Sequence, residues 1–115
     1  MDDLRTITTD AIAVEVIDGS TVIHLVGEID AELRTQASDT MGLALLHDLP
    51  VVVDATRATF VDSAGIAFIL QLRMAAHEAG IPVTLRDPRG VLAEVLTLVG
   101  VDDAVRTRPE ADPRR

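Results

Sequence analysis

The chain has no cysteine, tryptophan or tyrosine, and only two of its 115 residues are phenylalanine. It also lacks lysine: all ten basic residues are arginine, a usage that fits a GC-rich bacterial genome. The missing cysteines exclude disulfide stapling, thiol redox sensing and a cysteine nucleophile. With so few aromatics, the core must be built from Val, Leu, Ile and Ala. Nineteen acidic residues set the net charge at −9. A chain this acidic is repelled by a phosphate backbone, which argues against direct nucleic-acid binding and suits a basic partner. No apolar run is long enough to span a bilayer. Met1-Asp2-Asp3-Leu4-Arg5 lacks a positive stretch leading into an apolar one, so no signal peptide is expected. These absences predict a cytoplasmic protein that does not engage a membrane.

What is present reads as one globular domain, 48% hydrophobic and 25% charged. Ile12, Val14 and Val16 alternate with Ala13 and Glu15, the period of a strand. Asp18-Gly19 supplies two residues tolerant of positive φ, a hairpin signal. Thr21 to Gly27 returns as a strand apolar on both faces. Gly27-Glu28-Ile29-Asp30 ends it, with Asp30 placed to cap a helix. Leu33, Ala37, Met41, Ala44 and Leu45 follow at helical spacing up to Pro50. Val51-Val52-Val53 predicts a short buried parallel strand, and Asp54 to Asp62 a connecting loop. Ser63 to Ala79 predicts a helix with Ile66, Ile69, Leu70 and Met74 on one apolar face, ended by Gly80. Ile81, Val83 and Leu85 alternate as a fourth strand. Asp87-Pro88 predicts a helix start, cap then proline, with Leu92, Val95, Leu96 and Val99 as its stripe and Gly100 at its end. Ala104-Val105 suits a short edge strand. The order β-β-α-β-α-β-α with this final strand gives an α/β fold, a mixed sheet covered by helices. The domain is expected over residues 1–106, and a polar tail over 107–115.

Motifs for catalysis are missing. His24, His47 and His77 are scattered without metal-ligand spacing, and no cofactor is implied. Neither a dinucleotide-binding nor a P-loop glycine pattern occurs, and G-x-S-x-G is absent. Asp54 and Asp62 flank one segment and could pair as acid and base, though the plainer roles of strand end and helix start suit them better. Nothing here predicts an enzyme.

One segment stands out, Thr59-Phe60-Val61-Asp62-Ser63-Ala64-Gly65-Ile66-Ala67. It follows the buried strand, so it lies at that strand's carboxyl end, where open α/β sheets carry functional loops. Ser63 falls at the start of a helix, where its plainest role is a cap. Gly65 is a poor helix former in a first turn, at up to about 1 kcal/mol against Ala. Ala64, Gly65 and Ala67 are small enough for a partner's backbone to approach. Phe60 and Val61 are apolar beside a polar serine, which looks like a docking face.

Val51-Val52-Val53-Asp54 with Phe60-Val61-Asp62-Ser63-Ala64-Gly65-Ile66-Ala67 resembles the signature of the STAS-domain family of bacterial anti-sigma factor antagonists. Gly27-Glu28-Ile29-Asp30 is similar to that family's Gly-Glu-Leu-Asp at the end of the second strand. Leu98-Val99-Gly100-Val101 resembles its late apolar-Gly-apolar helix ending. The resemblance covers roughly residues 10 to 106. It implies that Ser63 is a phosphoacceptor, flanked by Asp62 and by Asp30 on the same surface. It departs at Ala64, where the family has a second serine, and at Ala67, where it has a second glycine. The resemblance also implies partners. An anti-sigma factor with serine kinase activity would bind the unphosphorylated chain and release a sigma factor, and a serine phosphatase would restore that form. Asp30, Thr59, Phe60, Val61, Asp62, Ala64, Gly65 and Ala67 would form the partner surface of a monomer. Other STAS proteins suggest alternatives: a subunit of a lipid-transport ATP-binding-cassette complex, a scaffold without phosphorylation, or a nucleotide-binding domain.

Overall fold

The computed structural model describes residues 10–93 and the backbone of 106–108. Strand β1 (Ala11–Ile17) and strand β2 (Ser20–Ile29) form the predicted hairpin. Asp18 and Gly19 take φ values of 51° and 79°, and Ile17 pairs with Ser20. Two consecutive left-handed residues give a turn whose twist matches that of its flanking strands. A single 3-10 turn (Ala31–Leu33) leads into helix α1 (Arg34–His47). Strand β3 (Val51–Val61), helix α2 (Ser63–Glu78) and strand β4 (Val83–Arg86) follow. The last strand, β5 (Arg106–Arg108), pairs parallel with β4. The sheet order is β1-β2-β3-β4-β5, with only the β1–β2 pair antiparallel. This is the mixed α/β sheet the element pattern predicts.

Strand β3 corrects the expected loop. Residues 54–61 stay in the sheet, and the ladder with β2 takes up two extra residues. His24 pairs with Asp54 but Val26 with Arg57; Gly27 pairs with Ala58 but Glu28 with Phe60. Each bulge delays the alternation by one residue. The core-facing positions therefore run Val51, Val53, Ala55, Ala58, Val61, two apart and then three apart. This half of the strand carries no period of two. Gly27 sits at the second bulge with φ 75°, and the Asp10 carboxylate accepts the Glu28 amide there at 2.9 Å. The Arg89 guanidinium donates to the carbonyl of Ala58 on the opposite strand of the same bulge.

The helix boundaries differ from expectation in three places. Asp30 caps the 3-10 turn, not α1, which has no side-chain cap. Helix α1 ends at His47 because Asp48 turns left-handed, φ 56°, two residues before Pro50. Pro88 lies in a tight turn closed by the Gly90 amide on the Asp87 carbonyl at 3.0 Å. Helical residues begin only at 91, where Asp87 accepts the amides of Leu92 and Ala93 at 3.1 and 2.8 Å. Helix α2 ends as predicted. Gly80 (φ 76°) donates to His77, and Ile81 to Ala76 at 2.8 Å, a Schellman closure.

The core lies between the helices and one face of the sheet. Helix α2 contributes Ile66, Phe68, Ile69, Leu72 and Ala76. Met74, placed by spacing on the apolar face, is 62% exposed, because the buried row continues through Leu72 and Ala76. Leu92 joins the core; Val95, Leu96, Val99, Gly100, Ala104 and Val105 lie outside the described residues. Thr107 and Arg108, assigned to the tail on composition, belong to β5.

Candidate functional site

The bulged end of β3 delivers the chain directly into α2. The Asp62 amide donates to the Ile29 carbonyl at 3.1 Å, so the ends of β2 and β3 are locked side by side. Asp62 is the N-cap of α2, and one carboxylate oxygen accepts the amides of Ala64 and Gly65 at 2.9 and 3.1 Å. Ser63 is therefore not the cap. It is the first helical residue, its side chain exposed. A serine freed from capping carries a hydroxyl that an incoming group can reach. Ile66 donates to the Asp62 carbonyl at 3.0 Å, which starts the regular helix.

Gly65 has a different role from the one its size suggested. It is buried, and a Cβ there would lie 2.6 Å from Val61 Cγ1 and 3.1 Å from Ile29 Cγ2. The missing side chain lets α2 sit hard against the ends of β2 and β3. Val61 likewise faces the core, 2% exposed. The segment divides into inward residues that set the seam (Val61, Gly65) and outward ones. Thr59, Ser63 and Ala67 are exposed, Phe60 is 54% exposed, and Ala64 and Asp62 are half-buried. Asp30 joins them across the Ile29–Asp62 bond, half-buried, with Oδ1 accepting the Glu32 amide at 3.0 Å.

A groove of about 460 Å³ opens beside this surface, between α1 and the first turns of α2. Asp30, Ala64, Gly65 and Ala67 line one side. Sequence reasoning missed Ile12, Leu33, Ala37, Met41 and Phe68, which also line it. Leu33, Ala37 and Met41 show in the sequence only as apolar residues at helical spacing. Phe68, one of only two aromatics, was the signal available.

The other polar candidates belong elsewhere. Asp54 and Asp62 do not meet. Asp54 pairs with His24 on β2, whereas Asp62 bonds to Ile29, five residues along, roughly 16 Å at strand spacing. The Asp54 carboxylate accepts the Thr56 amide at 2.9 Å and lies 3.7 Å from Arg86. His24 bridges Glu15 at 2.8 Å and Asp54 at 3.9 Å, one polar row across four strands. His47 contacts the Thr21 hydroxyl at 3.5 Å. Among the described residues no group of three or more His, Cys, Asp or Glu could hold a metal ion. No helix there is long and apolar enough to cross a membrane.

The five-stranded mixed sheet with its helices makes this a small α/β domain. The chain belongs to the STAS-domain family: the family model described as "Mlab, STAS domain" matches residues 12–107. No curated protein matches it in sequence. Among solved structures, an anti-sigma factor antagonist from Mycobacterium paratuberculosis is similar, at 24% identity and TM-score 0.73, over 90% of this chain and 89% of that one. The anti-sigma factor antagonist SpoIIAA in its unphosphorylated form shares 20% identity at TM-score 0.68, over 86% of this chain and 88% of that one. The phosphorylated form of this Bacillus cell fate determinant is as similar, with 20% identity, TM-score 0.68 and coverage of 87% and 93%. At these identities the likeness establishes the fold.

Proposed function

We propose that the chain is an anti-sigma factor antagonist switched at Ser63. In its unphosphorylated form it binds an anti-sigma factor that is itself a serine kinase, and a sigma factor is released. Transfer of a phosphoryl group from ATP to Ser63 Oγ, with ADP leaving and the hydroxyl proton lost, expels the antagonist. A serine phosphatase hydrolyses the ester and restores binding. The observation that carries this reading is the exposed Ser63 hydroxyl, held at the first position of α2 by a neighbour that has taken over the capping.

The chemistry around Ser63 supports a switch by local charge and bulk. Phosphate adds about −1.5 to −2 charge. At an uncapped helix N-terminus that charge would meet free amides. Asp62 already occupies those of Ala64 and Gly65, so the dianion stays at the surface beside another carboxylate. A partner packed on Phe60 and Ala67 would have to bury it, which is costly without a matching cation.

The family description names Mlab and no sigma pathway, and it favours one second reading: a STAS subunit that holds a transporter ATPase without phosphorylation. Mass spectrometry separates the two. The protein is incubated with ATP and the host's kinase-type anti-sigma factor, and capture of that kinase is measured alongside. A gain of about 80 Da, one phosphate, mapped to Ser63 and accompanied by loss of capture, is the expected result. No gain, with stable capture of a transporter ATPase, would establish the second reading.

A further inference from the structure

The groove between α1 and α2 has an apolar interior and an acidic rim. Leu33, Ala37, Met41 and Phe68 supply the interior. Asp30 lines the groove, with one carboxylate oxygen accepting the backbone amide of the exposed Glu32. Asp62 lies across the Ile29 carbonyl from Asp30. Among the described residues, Arg34 is the only basic one lining the groove. Its volume of about 460 Å³ falls within the roughly 300–1,000 Å³ usual for binding sites.

The position of Ser63 constrains the occupant. Ala64 and Ala67, one and four residues after Ser63 on α2, line the groove, and residues four apart are neighbours on a helix surface, so a phosphate on Ser63 would stand at the edge of its α2 wall. A partner recognised by positive charge alone would bind a phosphorylated rim more tightly. Expulsion requires an apolar group that packs where the dianion must stay hydrated. The acidic rim in turn selects a cationic flank on the same partner. We infer that the groove seats an amphipathic helix of the partner. A bulky aliphatic or aromatic side chain enters among Leu33, Ala37, Met41 and Phe68, and a flanking Arg or Lys faces Asp30 and Glu32. The mode is helix-in-groove recognition. It rests on the antagonist reading and extends the partner surface from α2 onto β1 and α1.

Titration calorimetry with the host's kinase-type anti-sigma factor tests it. Ala67→Trp and Ser38→Trp fill the groove from its two walls, both at exposed positions, so a failure of one variant to fold leaves the other. Each should weaken binding at least about tenfold, as loss of a central anchor does, with an unchanged melting temperature. Glu32→Arg should weaken it less and reduce its salt dependence. Leu46→Ser, on the outer face of α1 and 78% exposed, should bind like wild type. Kinase binding that survives both tryptophan variants would overturn the groove and leave the antagonist reading standing. No binding of the kinase to wild type would overturn both.

Discussion

The backbone amide of Asp62 donates to the carbonyl of Ile29 at 3.1 Å, and this one bond joins the end of β2 to the start of α2. It sets Asp30 and Ser63 on the same rim, although 33 positions separate them in the chain. Everything proposed for the site depends on that juncture staying closed.

Gly65 is its tightest point. In Gly65→Ala the new methyl meets Val61 and Ile29 at 2.6 and 3.1 Å. Overpacking costs about 1–3 kcal/mol, and alanine's better helix propensity returns up to about 1 kcal/mol. A net loss of stability is expected, read as a lower midpoint in urea unfolding. An unchanged midpoint would mean that α2 can shift without cost, and that Gly65 is small for another reason.

Asp62→Ala removes the acceptor for two amides and should cost about 0.5–2 kcal/mol, whereas Asp62→Asn should be near neutral, since asparagine caps as well as aspartate. Thermal unfolding of the pair distinguishes capping from charge. Equal losses in both variants would show that the negative charge, and not the hydrogen bonds, is what α2 needs.

Ser63→Glu places a charge next to the Asp62 carboxylate. The two anions repel in an exposed setting, where such pairs are worth up to about 1 kcal/mol and weaken with salt. The melting temperature of Ser63→Glu should fall slightly, and less in an Asp62→Asn background than in wild type. Cooperative unfolding of Ser63→Glu at room temperature would replace the local switch with a folding switch.

Phe60, three residues before Ser63 on the bulged strand, is 54% exposed. Phe60→Ala should leave stability within about 0.5 kcal/mol, as surface changes do, and weaken partner capture by more than about 1 kcal/mol, as aromatic anchors do. Pull-down against melting temperature separates these. Loss of both together would place the ring in the fold and not in the interface.

Gly27→Ala forces an L-residue into φ 75° and drives its methyl into the Asp10 carboxylate. A cost of about 1–3 kcal/mol is expected from the backbone alone. Hydrogen exchange should report it as faster opening of the Val26–Ile29 amides. Asp10→Ala should be milder, because it removes one hydrogen bond and leaves the conformation available.

Local chemistry made much of this protein legible in the sequence. Asp18-Gly19 dictated the hairpin because both positions must turn left-handed. Val51-Val52-Val53 announced a buried parallel strand. Gly80 closed α2 where a left-handed residue was needed, and the Phe60–Ala67 segment drew attention through its mixture of apolar, small and hydroxyl residues. Other features required the tertiary structure because they depend on pairing across the chain. The bulges in β3 exist only against β2, so residues 54–61 carried no readable period. Whether Asp62 or Ser63 capped α2 turned on the Ile29 carbonyl, which placed Asp62 at the helix entry and left Ser63 free. Gly65 could be read as an open surface until Val61 and Ile29 closed over it. The groove has no sequence signature, because Ile12, Met41 and Phe68 meet only when β1, α1 and α2 pack around one end of the sheet.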